Sequence, residues 1–147
     1  MTLWRTILCP VDFSELSPAC AAYARYLAER VGGRVVCLFV APSFEEFAEL
    51  AAAPGTWLGM SEEMSTGAEK IMEVFVRENF AEDQAEGRLR TGEPARGILD
   101  EAEALGAELI VMGTHGRTGF DRVLFGSVAE KVVRTSSCPV LTVRVKP

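Results

Sequence analysis

The chain has 147 residues, 48% of them hydrophobic and 24% charged, with a formal net charge of -6. That length suits one domain, 1–147, with one sizeable core. The acidic balance repels phosphate backbones and argues against a nucleic-acid partner, and no apolar run approaches the roughly 18 residues that a bilayer span requires.

The elements alternate in kind along the chain. "RTILCPV" (5–11) is a short apolar run that reads as a buried strand. Pro10 and Asp12 cut it too short for a secretory leader, so a cytoplasmic protein without membrane association is expected. Ser14 or Ser17 can cap the helix that follows, with Pro18 in its first turn. Leu16, Cys20, Tyr23, Leu27 and Val31 recur there at helical spacing, and Gly32-Gly33 ends the run. "RVVCLFVA" (34–41) is a second, continuously apolar strand of the sort a sheet covered on both faces requires.

Residues 42–60 carry Pro42, Pro54, Gly55 and Gly59, and read as a loop with one short helix. Phe44, Phe47, Leu50, Trp57 and Leu58 make it too apolar for a solvated linker; they suit a cover for the core or a partner surface. The glutamates at 45, 46, 49, 62 and 63 read as a solvated face. A second long helix follows over about 61–80, with Met64, Ala68, Ile71, Met72, Phe75 and Val76 inward. "AEGRLRTG" (85–92) alternates, as an edge strand with one wet face does. Gly92-Glu93-Pro94 turns into a third helix with Ile98, Leu99, Ala102 and Leu105 inward, stopped by Gly106. "AELIVMG" (107–113) is a third buried strand. A last helix carries Val128, Ala129, Val132 and Val133, and "VLTVRV" (140–145) closes the chain as a strand. The order β-α-β-α-β-α-β-α-β calls for a parallel sheet with helices on both faces.

Cys9, Cys20, Cys37 and Cys138 show no metal or redox spacing and read as buried reduced thiols. A Cys9–Cys37 disulfide would need their strands to be neighbours, and a reducing compartment argues against it.

The chemistry concentrates in "VMGTHGRTGFDRVLFGSVAEKVV" (111–133). In open α/β sheets ligands sit at the carboxyl ends of strands, where the strand order reverses. The first strand ends at Asp12 and the fourth at Gly113. The loop after Gly113 enters a helix near Gly126-Ser127, and unpaired amides at a helix start bind phosphate. Glycines at 113, 116 and 126 allow positive φ and close backbone approach. Ser127 adds a hydroxyl and Arg117 a charge. The chain lacks the GxxxxGK[ST] of a P-loop.

The spacing Gly113-x2-Gly116-x9-Gly126-Ser127 resembles the glycine motif of the ATP-binding branch of the universal stress protein family. "ILCPVDFSELS", "TGEPARGILDEAE" and "GSVAEKVVRTSSCPVLTVR" look like other segments of that family, so the likeness covers nearly the whole chain. It implies a single-domain three-layer α/β/α sandwich, Rossmann-like and adenine nucleotide α-hydrolase-like, with a five-stranded parallel sheet in order 3-2-1-4-5. It also implies a homodimer paired through the last strand (140–145), or a higher oligomer, with further protein partners of unknown identity. The adenine maps to Pro10, Val11, Asp12 and Val40 with Met112 beside them, the ribose to Gly113, and the phosphates to Gly116, Arg117, Gly126, Ser127 and Val128. Mg2+ is expected with the phosphates. Phe39 stands where the family often has a histidine.

Plainer roles compete for these residues. Asp12 can be a turn or capping residue, and the glycines can serve an ordinary long loop. His115, the only histidine, has no nucleophile or paired carboxylate beside it in sequence, so no catalytic residue is assigned. Phosphoryl transfer needs a positioned nucleophile, and none is evident. The resemblance implies a regulatory stress-response module that holds ATP. A slow, partner-gated ATPase is the alternative, and an interaction protein with an empty or non-ATP pocket is a third.

Overall fold

The computed structural model describes residues 3–41, 60–115 and 126–144, and for residues 60–66 the backbone alone. The expected loop at 42–59, Gly116 and Arg117 lie outside the described residues. Nine elements alternate: β1 (Thr6–Pro10), α1 (Ser17–Val31), β2 (Arg34–Ala41), α2 (Met60–Asn79), β3 (Ala85–Thr91), α3 (Pro94–Leu105), β4 (Leu109–Gly113), α4 (Ser127–Thr135) and β5 (Val140–Val143). The five strands form one parallel sheet in the order β3-β2-β1-β4-β5, as expected.

Two apolar layers flank the sheet because successive strand side chains point to opposite faces. Ile7, Cys9, Val35, Cys37 and Val111 face α1 and α2, while Leu8, Val36, Leu38, Ile110 and Met112 face α3 and α4. Ile7, Leu8, Val36 and Ile110 are wholly withdrawn from solvent, each contributing roughly 2 kcal/mol of apolar burial. This double coverage is why the central strands are apolar at every position rather than alternating.

The inner face of α1 differs from its sequence expectation. Cys20, Ala21, Ala24 and Ala28 are buried, whereas Tyr23 is half exposed. The alanine stripe allows the helix axis to lie close to the sheet, and the tyrosines cannot fit beneath it. Tyr26 on the outer side packs its ring under Arg30, 4.5 Å from the guanidinium carbon. Ile71 on α2 and Val133 on α4 likewise lie outward. Gly32 and Gly106 do end α1 and α3, at φ 66° and 61°, the left-handed conformation that suits glycine.

Neither Ser14 nor Ser17 caps α1 with its side chain; Leu16 occupies the cap position. At α3 the cap is Glu93, whose carboxylate accepts the amides of Ala95 and Arg96. The β3 edge has a half-wet face, as expected. There Arg88 and Arg90 reach across to Glu101 of α3, whose side chain is only 6% exposed. Burial pushes the Glu101 carboxyl up, but hydrogen bonds from Arg90 and Arg88 outweigh it and hold its pKa below the ordinary value. The same hydrogen bond raises the Arg88 guanidinium.

Cys9 and Cys37 stand opposite each other on neighbouring strands, yet all four cysteines are free. The Cys9 thiol is raised by a hydrogen bond with Cys37 and by burial.

Candidate functional site

The site begins with a proline. Residues of β1 turn their backbone groups alternately to β2 and β4: Val11 donates to Leu38 on one side, and Thr6 accepts from Glu108 on the other. Pro10 falls on the β4 side, where it has no N–H to give. The β1–β4 ladder runs only through Ile7↔Leu109 and Leu8↔Ile110, while the β1–β2 ladder continues to Pro10↔Leu38. β1 and β4 therefore part at their carboxyl ends. This is also the switch point, since β1 leads through α1 to one side of the sheet and β4 through α4 to the other.

Asp12 follows immediately. Its carboxylate accepts the Ser14 amide at 2.9 Å and the Ser17 hydroxyl at 3.2 Å. Part of its work is thus the turn role that competed with ligand binding in the sequence. The turn takes Phe13 to φ 60°, an unusual conformation for a bulky residue. Packing holds it there: the Phe13 ring lies 4.9 Å from that of Phe39 and 5.9 Å from that of Phe75. Phe39 in the place of a histidine thus builds an aromatic cluster rather than a polar contact. Below it, burial and the negative charge of Asp12 push the Cys20 thiol up to about 12.

Across the opening, β4 ends at Gly113. A Cβ there would stand 2.4 Å from Leu16 Cδ2, so glycine is required for the start of α1 to lie against the strand end. Thr114, buried, then joins three elements: its amide donates to Val143 at 3.0 Å, and its carbonyl accepts the Gly126 amide at 2.6 Å. Its hydroxyl lies 3.0 Å from His115 Nδ1.

Gly126 occupies the cap of α4 at φ -70° and ψ 165°, with no side-chain cap. Positive φ, which glycine would allow, is adopted at neither Gly113 nor Gly126. Both glycines instead permit close approach, since a Cβ on Gly126 would stand 3.2 Å from the Thr114 carbonyl oxygen. The Gly126 amide, expected as a phosphate donor, is used by Thr114. The orphan amides of the first turn are therefore those of Ser127, Val128 and Ala129, which point out of the helix start. Ser127 is exposed and Val128 half-buried.

The residues expected to hold the adenine divide between the faces of the sheet. Val40 and Met112 belong to the apolar layer under α3 and α4, and Val11 to the opposite layer. Pro10 shares the side of Val40 and Met112 by strand alternation. All are buried. Thr114 and Leu16 had no role at the site by sequence. A threonine directly after a strand-ending glycine carries no spacing signal, and Leu16 reads simply as helix core.

The fold is that of a doubly wound parallel α/β protein whose first and fourth strands part at the switch point, beside a helix start. The universal stress protein family model matches residues 3–144. The chain belongs to the universal stress protein family. Universal stress protein MJ0531 of Methanocaldococcus jannaschii is 36% identical over 146 residues, covering 97% of this chain and 83% of that protein. The solved structure of MJ0577, from the same organism, superposes with a TM-score of 0.82 at 27% identity, covering 99% of both chains. A universal stress protein from Archaeoglobus fulgidus, solved in complex with dAMP, has the same fold, with a TM-score of 0.67 at 20% identity over 98% of this chain and 100% of that one.

Proposed function

We propose that this universal stress protein binds ATP, with Mg2+ on the phosphates, in the crevice between β1 and β4. The observation that carries this is the uncapped start of α4, fastened by Thr114 to the end of β4 at the switch point. Three amides there converge with the positive end of a helix dipole, which suits phosphate oxygens. Ser127 adds its hydroxyl and Arg117 its charge. The base would lie among Pro10, Val11, Val40 and Met112 near Asp12, and the ribose near Gly113. The dAMP complex of the Archaeoglobus protein is in keeping with an adenine nucleotide in this fold.

The protein acts in this proposal as a cytoplasmic, homodimeric regulatory module whose partner contacts change with the nucleotide. The dimer forms through β5. Among the described residues that strand pairs only with β4, and Leu141 on it is 37% exposed; an open edge of this kind invites strand pairing. Holding outranks hydrolysis because Asp12 is engaged in its own turn and no residue is identified that would position an attacking water.

The test is to purify the protein, identify any bound nucleotide by chromatography, and titrate the stripped protein with ATP and Mg2+ in a calorimeter while timing turnover. Binding without turnover supports the proposal. Steady turnover abolished by Arg117→Ala would make the protein an ATPase instead. Failure to bind ATP at millimolar concentration sinks both.

A further inference from the structure

The edge of the sheet farthest from β5 carries a second feature. Among the described residues β3 pairs only with β2. Its even-numbered residues turn their backbone groups to β2, as the Gln84 carbonyl and the Gly92 amide do. Strand alternation leaves the N–H and C=O groups of Gly87 and Leu89 facing outward along the edge.

These same residues line a groove of about 730 Å³ between β3 and α2. Its floor is apolar, formed by Met72, Val76, Phe80 and Leu89. Gly87 lets Met72 pack directly onto the strand: a Cβ there would stand 2.3 Å from Met72 Cγ. The rim is acidic. Glu69, Glu73, Glu82 and Asp83 line it, with Arg77 the basic member. Glu86 also lines it but is paired with Arg34 and Arg88. The other four carboxylates have no ion pair among the described residues.

A strand edge beside an apolar floor offers main-chain pairing together with pockets for alternate side chains, the two elements of strand addition. Charge decides the occupant. A second copy pairing through its own β3 edge would bring the same acidic rim against this one, and nucleic acid would be repelled as well. We propose that the β3–α2 groove docks an extended basic segment of a partner protein as a sixth strand. Apolar side chains at alternate positions of the segment enter the floor, and lysines or arginines two residues beyond them, on the same face, meet the carboxylates of the rim. Ala85–Leu89 offers room for about five residues, roughly 16 Å of strand.

The probe is a labelled peptide, Lys-Lys-Val-Thr-Val-Lys-Lys, whose first and last lysines share the face of its valines, added to the full chain, with the Glu-Val peptide Glu-Glu-Val-Thr-Val-Glu-Glu as control. Binding is read by fluorescence anisotropy and by residue-resolved amide exchange. The expected result is exchange slowed at least tenfold at Gly87 and Leu89, with Arg88 and Arg90, already directed at β2, unchanged. The exposed pair Glu69→Lys/Glu73→Lys should weaken binding at least tenfold without altering the unfolding transition. Unchanged exchange at Gly87 and Leu89 in 1 mM peptide would overturn the proposal. So would equal binding of the Glu-Val peptide, full affinity in the charge-reversed protein, or protection of these amides by raising the protein concentration alone, which would make a second copy the occupant.

Discussion

The carbonyl of Thr114 accepts the amide of Gly126 at 2.6 Å, joining the end of β4 to the start of α4 across eleven intervening residues. The bond positions the helix start and takes one of its donors out of use. The cap is left with no side chain of its own, and this leads to the first prediction.

Gly126→Asp places a carboxylate at an N-cap, where it can accept the orphan amides of the first turn. It then competes with phosphate for the same donors and repels it. ATP affinity should fall at least tenfold in calorimetry, while stability in urea stays within about 0.5 kcal/mol of the parent, since Asp and Gly differ little at this position. A parallel loss of both would mean that the substitution had broken the Thr114 contact, 3.2 Å from the added Cβ.

Asp12→Ala removes the acceptor of the Ser14 amide and the Ser17 hydroxyl. The expected cost is about 1–2 kcal/mol, the usual range for charged hydrogen bonds that are partly solvated. Asp12→Asn keeps an acceptor oxygen and should recover most of that stability. If Asp12 also meets the ligand, the asparagine protein will be stable yet bind ATP more weakly, which the calorimeter separates from a purely structural role.

Gly113→Ala forces a methyl group to within 2.4 Å of Leu16 Cδ2. Overpacking of this kind costs about 1–3 kcal/mol. Leu16→Ala should be destabilising alone but should relieve the clash, so the double variant will be more stable than the sum of the singles by about 1 kcal/mol. Additive effects in a urea-unfolding cycle would show that the two residues do not meet.

Glu101 supplies the pH dependence. Its folded pKa is depressed, so its stabilisation is present above the unfolded value of about 4.3 and is lost as pH falls through the folded one. Glu101→Gln should lower stability by about 1–3 kcal/mol at pH 7. The gap between the two proteins should narrow as pH falls below about 4.3 and close as pH passes through the depressed folded value. A gap that stays constant over that range would show that the Arg88 and Arg90 pairs contribute nothing.

The thiols give a solution check of the core. Cys9, Cys20 and Cys37 are buried, and Cys138 is half-buried. A thiol reagent at pH 8 should label Cys138 in the native protein and all four cysteines in denaturant. Fewer than four in denaturant would reveal a disulfide.

The sequence determined the order of the elements, because the continuous apolar runs of β1, β2 and β4 admit only a sheet covered on both faces. Gly32 and Gly106 were legible as helix stops, and the spacing from Gly113 to Ser127 marked a site, because each depends on a few adjacent residues. Which face of α1 lies inward was not legible. Tyr23 and Ala24 both fit a helical period, and only the closeness of the sheet selects the smaller. The task of Gly126 was equally hidden: its amide is committed by Thr114, a residue whose role exists only once β4 and α4 meet. Local conformation and apolar period are properties of short stretches, so the sequence carries them openly. Which donors remain for a ligand depends on contacts between distant segments, and those the tertiary packing alone decides.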